Sequence, residues 1–188
     1  MASKKTLNTT NLEALGARRL AELLIELSTG DAAAKRRLRL ELVGTEGPAE
    51  VAREVRKRLA TIARSRSFVD WQNRRALISD LETQRRAIVE QVAMADPAVG
   101  LELMWRFLAL ADSIFERCDD SSGSIIGIFL GAIDDLASIA GRAAVEPVRL
   151  ADDVFQALQE SDYGQYDGLI PALAPVLGAA GMAHLKQR

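Results

Sequence analysis

The chain has one cysteine, Cys118, and one histidine, His184, in 188 residues. A single cysteine excludes an intramolecular disulfide and fits a reducing, cytoplasmic setting. A single histidine near the C-terminus offers no Cys–His pair, and any His-containing metal site or serine triad would depend on it alone. Aromatics make up only 5%, and a composition led by Leu, Ala, Arg and Glu favours helices over sheets. Strand signals are missing: there is no period-2 alternation, and the Asp167-Gly168 pair is flanked by helical patterns. The longest apolar run, "SIIGIFLGAI" (124–133), is shorter than the ~20 residues of a membrane span. The basic start "MASKKTLNTTN" is followed by no apolar stretch, which does not fit the pattern expected of a signal peptide. Glycine-rich phosphate loops, H-E-x-x-H and C-x-x-C are absent. The sequence therefore assigns no catalytic residue, no cofactor, no membrane partner and no definite metal ligand.

What is present is globular. The hydrophobic set is 48% and charged residues are 27%, enough to bury a core at this length. The net charge of −2 conceals an asymmetry: residues 1–94 carry 18 Lys and Arg against 12 Asp and Glu, whereas residues 95–188 carry 6 against 14. A basic N-terminal helical region (1–94) thus joins an acidic helical-hairpin region (95–188), read as one continuous domain. Such an asymmetry bears on partners rather than on fold.

The spacing predicts an all-α protein of about eight or nine short helices. Thr10 to Glu13 reads as a capping box, followed by Leu12, Leu15, Leu20, Leu23, Leu24 and Leu27 at helical spacing as far as Gly30. Asp31 caps a second helix with Leu38 and Leu42 inward. Pro48 opens a third, whose stripe is Val51, Val55, Leu59 and Ile62. The fourth, from about Phe68 to Met94, has the seam Trp71, Arg74, Ile78, Leu81, Arg85, Ile88 and Val92. Asp96 and Pro97 start a fifth that is apolar nearly all round, with a narrow strip at Glu102, Arg106, Ala109, Ser113 and Glu116. A sixth runs to about Gly141 and a seventh from Val148 to Glu160. An eighth follows, which Pro175 should kink or shorten. The ninth, in "AAGMAHLKQR", stops without a cap, which predicts a longer protein.

Helices five and six form one hairpin, and seven and eight another, with turns about 43 residues apart, within the range of HEAT-like repeats. Stacked as an α-solenoid-like (HEAT/TPR-like) array, they would place the turns "CDDSSG" and "DYGQYDG" side by side on one edge. The stretches "IARSRSFVDWQNRRALISDLETQRRAIVEQV", "MWRFLALADSIFERCDDSSG" and "DYGQYDGLIPALAP" resemble an uncharacterised family of bacterial helical proteins. That resemblance implies longer chains with a repeat-like later part and supplies no activity.

Two candidate surfaces follow. The first is the turn edge: Asp119, Asp120, Ser122, Asp162, Tyr163, Tyr166 and Asp167. Its bland reading is helix capping and hairpin sealing, with the two tyrosines sharing one helical face. Its sharper readings are a protein or peptide contact, or a hard cation held by four carboxylates. The second is a basic surface: Arg64, Arg66, Arg74, Arg75, Arg85 and Arg86. These arginines either pair with acids or follow a nucleic-acid backbone. Gly123, Gly127 and Gly131 make a smooth stripe that predicts close helix packing or a groove. Cys118, beside Glu116, Asp119 and Asp120, reads as a small packed residue rather than a nucleophile. The leading expectation is a non-catalytic helical-repeat scaffold that binds a protein or peptide. The alternative is a nucleic-acid-binding module, and a cation-dependent site is third.

Overall fold

A computed structural model describes residues 5–188, and among them no strand forms. The chain divides into two compact units, one up to Arg39 and the other from Leu40 to Arg188. The charge boundary near residue 94 therefore falls inside the second unit.

In the first unit, the leucine-rich pattern is two helices rather than one. α1 (Thr9–Glu13) is capped by Asn8, whose side chain accepts from Asn11 N at 2.9 Å, so the cap precedes Thr10. Gly16, at φ 79°, breaks the helix before α2 (Ala17–Ser28) begins, since an L side chain would be strained in that conformation. Leu24 and Leu27 stay exposed. Asp31 caps α3 (Ala32–Gly44), accepting from Ala33 N at 2.9 Å and Ala34 N at 3.0 Å.

In the second unit, Leu40 is the buried residue of α3's C-terminal end and Leu42 is exposed, one residue-pair away from the expected register. α4 (Pro48–Arg64) buries Val51, Val55, Leu59 and Ile62 as the spacing predicts. α5 (Trp71–Ala87) is capped by Asp70, which accepts from Asn73 N at 2.8 Å. The expected seam fails at its start. Trp71 is 76% exposed, and Arg74 reaches sideways to the Asp119 carbonyl at 3.2 Å. Both lie in the helix's first turn, beyond its packed neighbours. Leu81 and Ile88 are buried. The backbone then widens into one π turn (Ile88–Val92) before α6 (Ala93–Ala95), which lets Val92 and Ala93 both face inward.

Asp96 caps α7 (Pro97–Leu108), accepting from Ala98 N and Val99 N. The expected fifth helix is broken at Ala109, and α8 (Leu110–Phe115) continues it. α7 is buried on most sides. It approaches α6 so closely that a Cβ on Gly100 would lie 2.4 Å from the Ala93 Cβ. α9 (Ser124–Ala143) is 20 residues long and apolar enough to cross a membrane by length and composition, longer than the run read from sequence. Its apolar side chains, including Ile125, Phe129, Leu136 and Ile139, pack into the core instead.

Glu146 caps α10 (Pro147–Gln159). α11 (Leu169–Leu185) runs through Pro175 and breaks at Gly178 (φ 56°), so the kink lies three residues beyond the proline. α7 packs on α9, α10 on α11, and α11 on α9. Few aromatics are available, yet four form a connected row: Phe107 to Phe129 at 5.5 Å, Phe129 to Phe115 at 5.9 Å, and Phe115 to Tyr163 at 5.2 Å between ring centroids. The row ties the α10–α11 turn to α7, α8 and α9.

The glycine stripe of α9 is not a packing surface. A Cβ at Gly127 would meet nothing within 4 Å, and Gly123 lies before the helix in the left-handed region. Only Gly131 is constrained, because a Cβ there would lie 2.8 Å from Nη1 of Arg85.

Candidate functional site

The turn 118–123 is occupied with its own backbone. Asp119 Oδ1 accepts from Ser121 N at 2.9 Å. Asp120 accepts from Ile125 N at 2.9 Å and Ile126 N at 2.8 Å, capping α9 from ahead of it. Ser122 Oγ pairs with Ser124 Oγ at 2.9 Å. Cys118 is buried. Burial, then Asp120, pushes its thiol above the ordinary value, against the opposing pull of Arg74 and Arg117. That environment disfavours the thiolate a nucleophile needs.

The turn 161–168 is built around Gln165, which no sequence signal singled out. Gln165 is fully buried. Its Nε2 donates to Asp112 Oδ1 at 3.0 Å, and its Oε1 accepts from Tyr163 N at 3.1 Å. One amide thus fastens the turn to α8 and fixes its backbone. The segment is not helical, so Tyr163 and Tyr166 do not share a helical face. Tyr163 lies on Phe115 and stays 43% exposed, whereas Tyr166 is 6% exposed. Asp162 and Asp167 are exposed. The turn rests on α8 at Asp112 and Phe115, just ahead of Asp119 and Asp120. Among the described residues no group of three His, Cys, Asp or Glu lies close enough to hold a metal ion.

The six arginines divide. Arg85 is ion-paired to Asp135 and donates to the Gly131 carbonyl at 2.8 Å. Arg74 is bonded to a backbone carbonyl. Arg66 and Arg86 lie 4.0 Å from Glu116 and Glu90. Arg64 and Arg75 are exposed on either side of Phe68 (70%) and Trp71 (76%). Buried pairing also takes Arg58, which meets Asp80.

A concave feature of the second unit lies elsewhere, between α7 and α10. It is an open groove of about 880 Å³. Ala98, Leu101, Trp105 and Ala109 line one wall at helical spacing; Arg149, Asp153, Gln156 and Glu160 line the other. The α9–α10 corner closes one end and Tyr166 lines the groove as well. At that corner Ala144, the cap of α9, sits in the left-handed region at φ 49°. Of the strip read from sequence, Glu102, Arg106 and Ala109 belong to this wall, and Ser113 and Glu116 do not. Its charges are locked: Glu102 is shared by Arg56 at 3.0 Å and Arg106 at 2.8 Å. The indole Nε1 of Trp105 is buried and makes no hydrogen bond.

Across the groove, Asp153 is pushed above the usual carboxylate range by burial, partly offset by Arg149. The Tyr166 phenol is pushed up to about 12 by burial and by the negative charge of Asp112 and Glu160. A phenol held neutral and one partly desolvated carboxylate, Asp153, thus face this groove. No nucleophile with an adjacent base lines it.

Residues 2–188 match a family of unknown function (DUF6880), and the chain belongs to that family. No curated protein matches the chain, and no solved structure does.

Proposed function

We propose that this member of the family is a non-catalytic helical scaffold that binds a protein or peptide segment in the α7–α10 groove. The α7–α9 and α10–α11 hairpins act in this reading as repeat units of a stacked helical array. The supporting observation is the groove itself: an apolar wall of small side chains and one indole faces a polar wall, and the volume lies within the range of known ligand sites. Small residues at Ala98, Ala109 and Ala157 leave room for a partner's larger side chains. The reading is tested by placing a photo-crosslinking amino acid at Gln156, and separately at exposed Asp134 on α9, in cells. A partner crosslinked from Gln156, absent from Asp134 and lost when Ala109→Trp fills the groove, is expected. Equal crosslinking from both positions, or none from Gln156, would sink the reading.

A nucleic-acid reading is favoured by one observation, the exposed Phe68 and Trp71 flanked by Arg64 and Arg75, since bases stack on aromatics beside cations. The pairing of Arg85 with Asp135 removes one cation from that surface. Binding of a labelled single-stranded oligonucleotide that falls with salt and is lost in Trp71→Ala would support it; absence of binding at low salt would refute it.

A further inference from the structure

We propose that the α7–α10 groove selects a segment carrying a lysine or arginine, whose cation seats against the Tyr166 hydroxyl and the Glu160 carboxylate. The inference rests on the peptide-binding reading above and adds the chemistry of the occupant.

The argument begins from which groove charges are already engaged. Both oxygens of Glu102 are held by Arg56 and Arg106. Both oxygens of Glu146 cap α10, accepting from Val148 N at 3.0 Å and Arg149 N at 2.8 Å. These groups have little left for a ligand. Arg106 is bound to Glu102 and so is not a free cation for an acidic partner. What remains is Arg149 against Asp153 and Glu160, an acidic excess in which Glu160 takes one bond, at Oε1 from Gln156 Nε2 at 3.3 Å. Asp153 and Glu160 are seven residues apart, about 10 Å along α10 and on one face.

Tyr166 supplies a polar group at the groove. Its side chain is 6% exposed and lines the groove, and its hydroxyl is not among the buried polar atoms left without a partner, so it stays open to what the groove holds. The charges around it set the sign of the partner. Glu160 and Asp112 both act on Tyr166. Burial first, and then the charges of Asp162, Glu116 and Glu160, raise Asp112, against the opposing hydrogen bond from Gln165. An anionic group placed at Tyr166 would meet this negative field, whereas an ammonium or guanidinium would relieve it. The phenol, held protonated, accepts from the cation through its oxygen. The aliphatic stem of the same side chain has Ala157, Ala109 and Trp105 to lie on, as long basic side chains require.

The test pans the full chain against a random-sequence peptide library, with Ala109→Trp as the groove-filled comparison. An enriched sequence is then synthesised and titrated. Lys or Arg is expected at one fixed position of the enriched peptides. Replacing it by Gln should weaken binding about tenfold, the loss of one charged hydrogen bond. Glu160→Gln should do the same, Tyr166→Phe should weaken binding several-fold, and Asp134→Asn should change nothing. Glu160 is exposed, so its variant keeps the test intact even where Tyr166→Phe disturbs folding. Enriched peptides that are neutral or acidic, or that bind Glu160→Gln equally well, overturn the cationic occupant while leaving the groove reading standing. No enrichment over Ala109→Trp overturns both.

Discussion

Gly100→Ala and Gly127→Ala are the same chemical change in two helix interiors, and the structure predicts opposite signs. Alanine gains about 1 kcal/mol of helix propensity over glycine. At Gly127 nothing lies within 4 Å of the new methyl, so most of that gain should appear, about 0.5–1 kcal/mol. At Gly100 the new Cβ would lie 2.4 Å from the Ala93 Cβ and 2.7 Å from the Ala93 Cα. Carbon atoms pack at about 3.5–4.0 Å, so α7 and α6 must separate by more than about 1 Å. A backbone atom cannot swing aside as a long side chain can. Overpacking of this kind costs about 1–3 kcal/mol. It exceeds the propensity gain and leaves a net loss of about 1–2 kcal/mol. For a chain of this size each kcal/mol moves Tm by about 2–4 °C. Thermal unfolding followed by circular dichroism should therefore show Gly127→Ala rising by a few degrees and Gly100→Ala falling by a similar or larger amount. A Gly100→Ala protein as stable as wild type would refute the close crossing of α6 and α7. The position of the groove wall at Leu101 and Trp105 would then lose its basis.

Gln165→Leu keeps the volume but strips Asp112 Oδ1 and Tyr163 N of their partner. It should cost about 2 kcal/mol in urea unfolding, whereas a surface substitution such as Asp134→Asn should cost nothing measurable. Two carboxylates should shape the acid limb in opposite directions. Asp112 has a raised folded pKa, so relative to Asp112→Asn the wild type should gain stability as pH falls through that value towards 3.8. Asp152, lowered by His184 and Arg188, stabilises above the ordinary carboxylate pKa and loses that contribution as pH falls below it, a difference that Asp152→Asn should abolish. Melting curves from pH 7 to pH 3 check both signs. Ala144 occupies the left-handed region without a glycine's freedom, so Ala144→Gly should raise stability by about 1 kcal/mol; a loss would refute the strain.

What was legible in the sequence was local. Asp31, Asp96 and Pro48 mark helix starts because a cap and its recipients are neighbours in the chain. The α4 stripe is read correctly because one face of one helix decides it. Breaks set by distant packing were not legible. The π turn at Ile88–Val92 is where Val92 and Ala93 both turn inward. The glycine stripe looked like a packing face because spacing alone does not reveal whether a neighbour arrives. Only Gly131 has one, and it is an arginine side chain rather than a helix. Trp71 fell on an apolar seam by count, but a seam buries a residue only where another element covers it.

The candidate site was half legible for the same reason. The strip at Glu102, Arg106, Ala109, Ser113 and Glu116 stood out as the one non-hydrophobic line on an otherwise apolar helix, and its first three members line the groove while Ser113 and Glu116 do not. Its meaning needed α10, whose facing residues Asp153 and Glu160 lie about fifty residues away in sequence and carry no motif. The eight residues around the tyrosines drew attention for both tyrosines and both aspartates. Geometry adds Gln165 to Tyr166, the two side chains of that stretch that are buried. Gln165 has its polar atoms satisfied and holds the turn in place. Tyr166 lines the groove beside Glu160, on a turn that Gln165 fastens to α8. A fastened turn presents that hydroxyl in a fixed place, and fixed placement of a few polar groups beside apolar walls is what the proposed recognition would require of this groove.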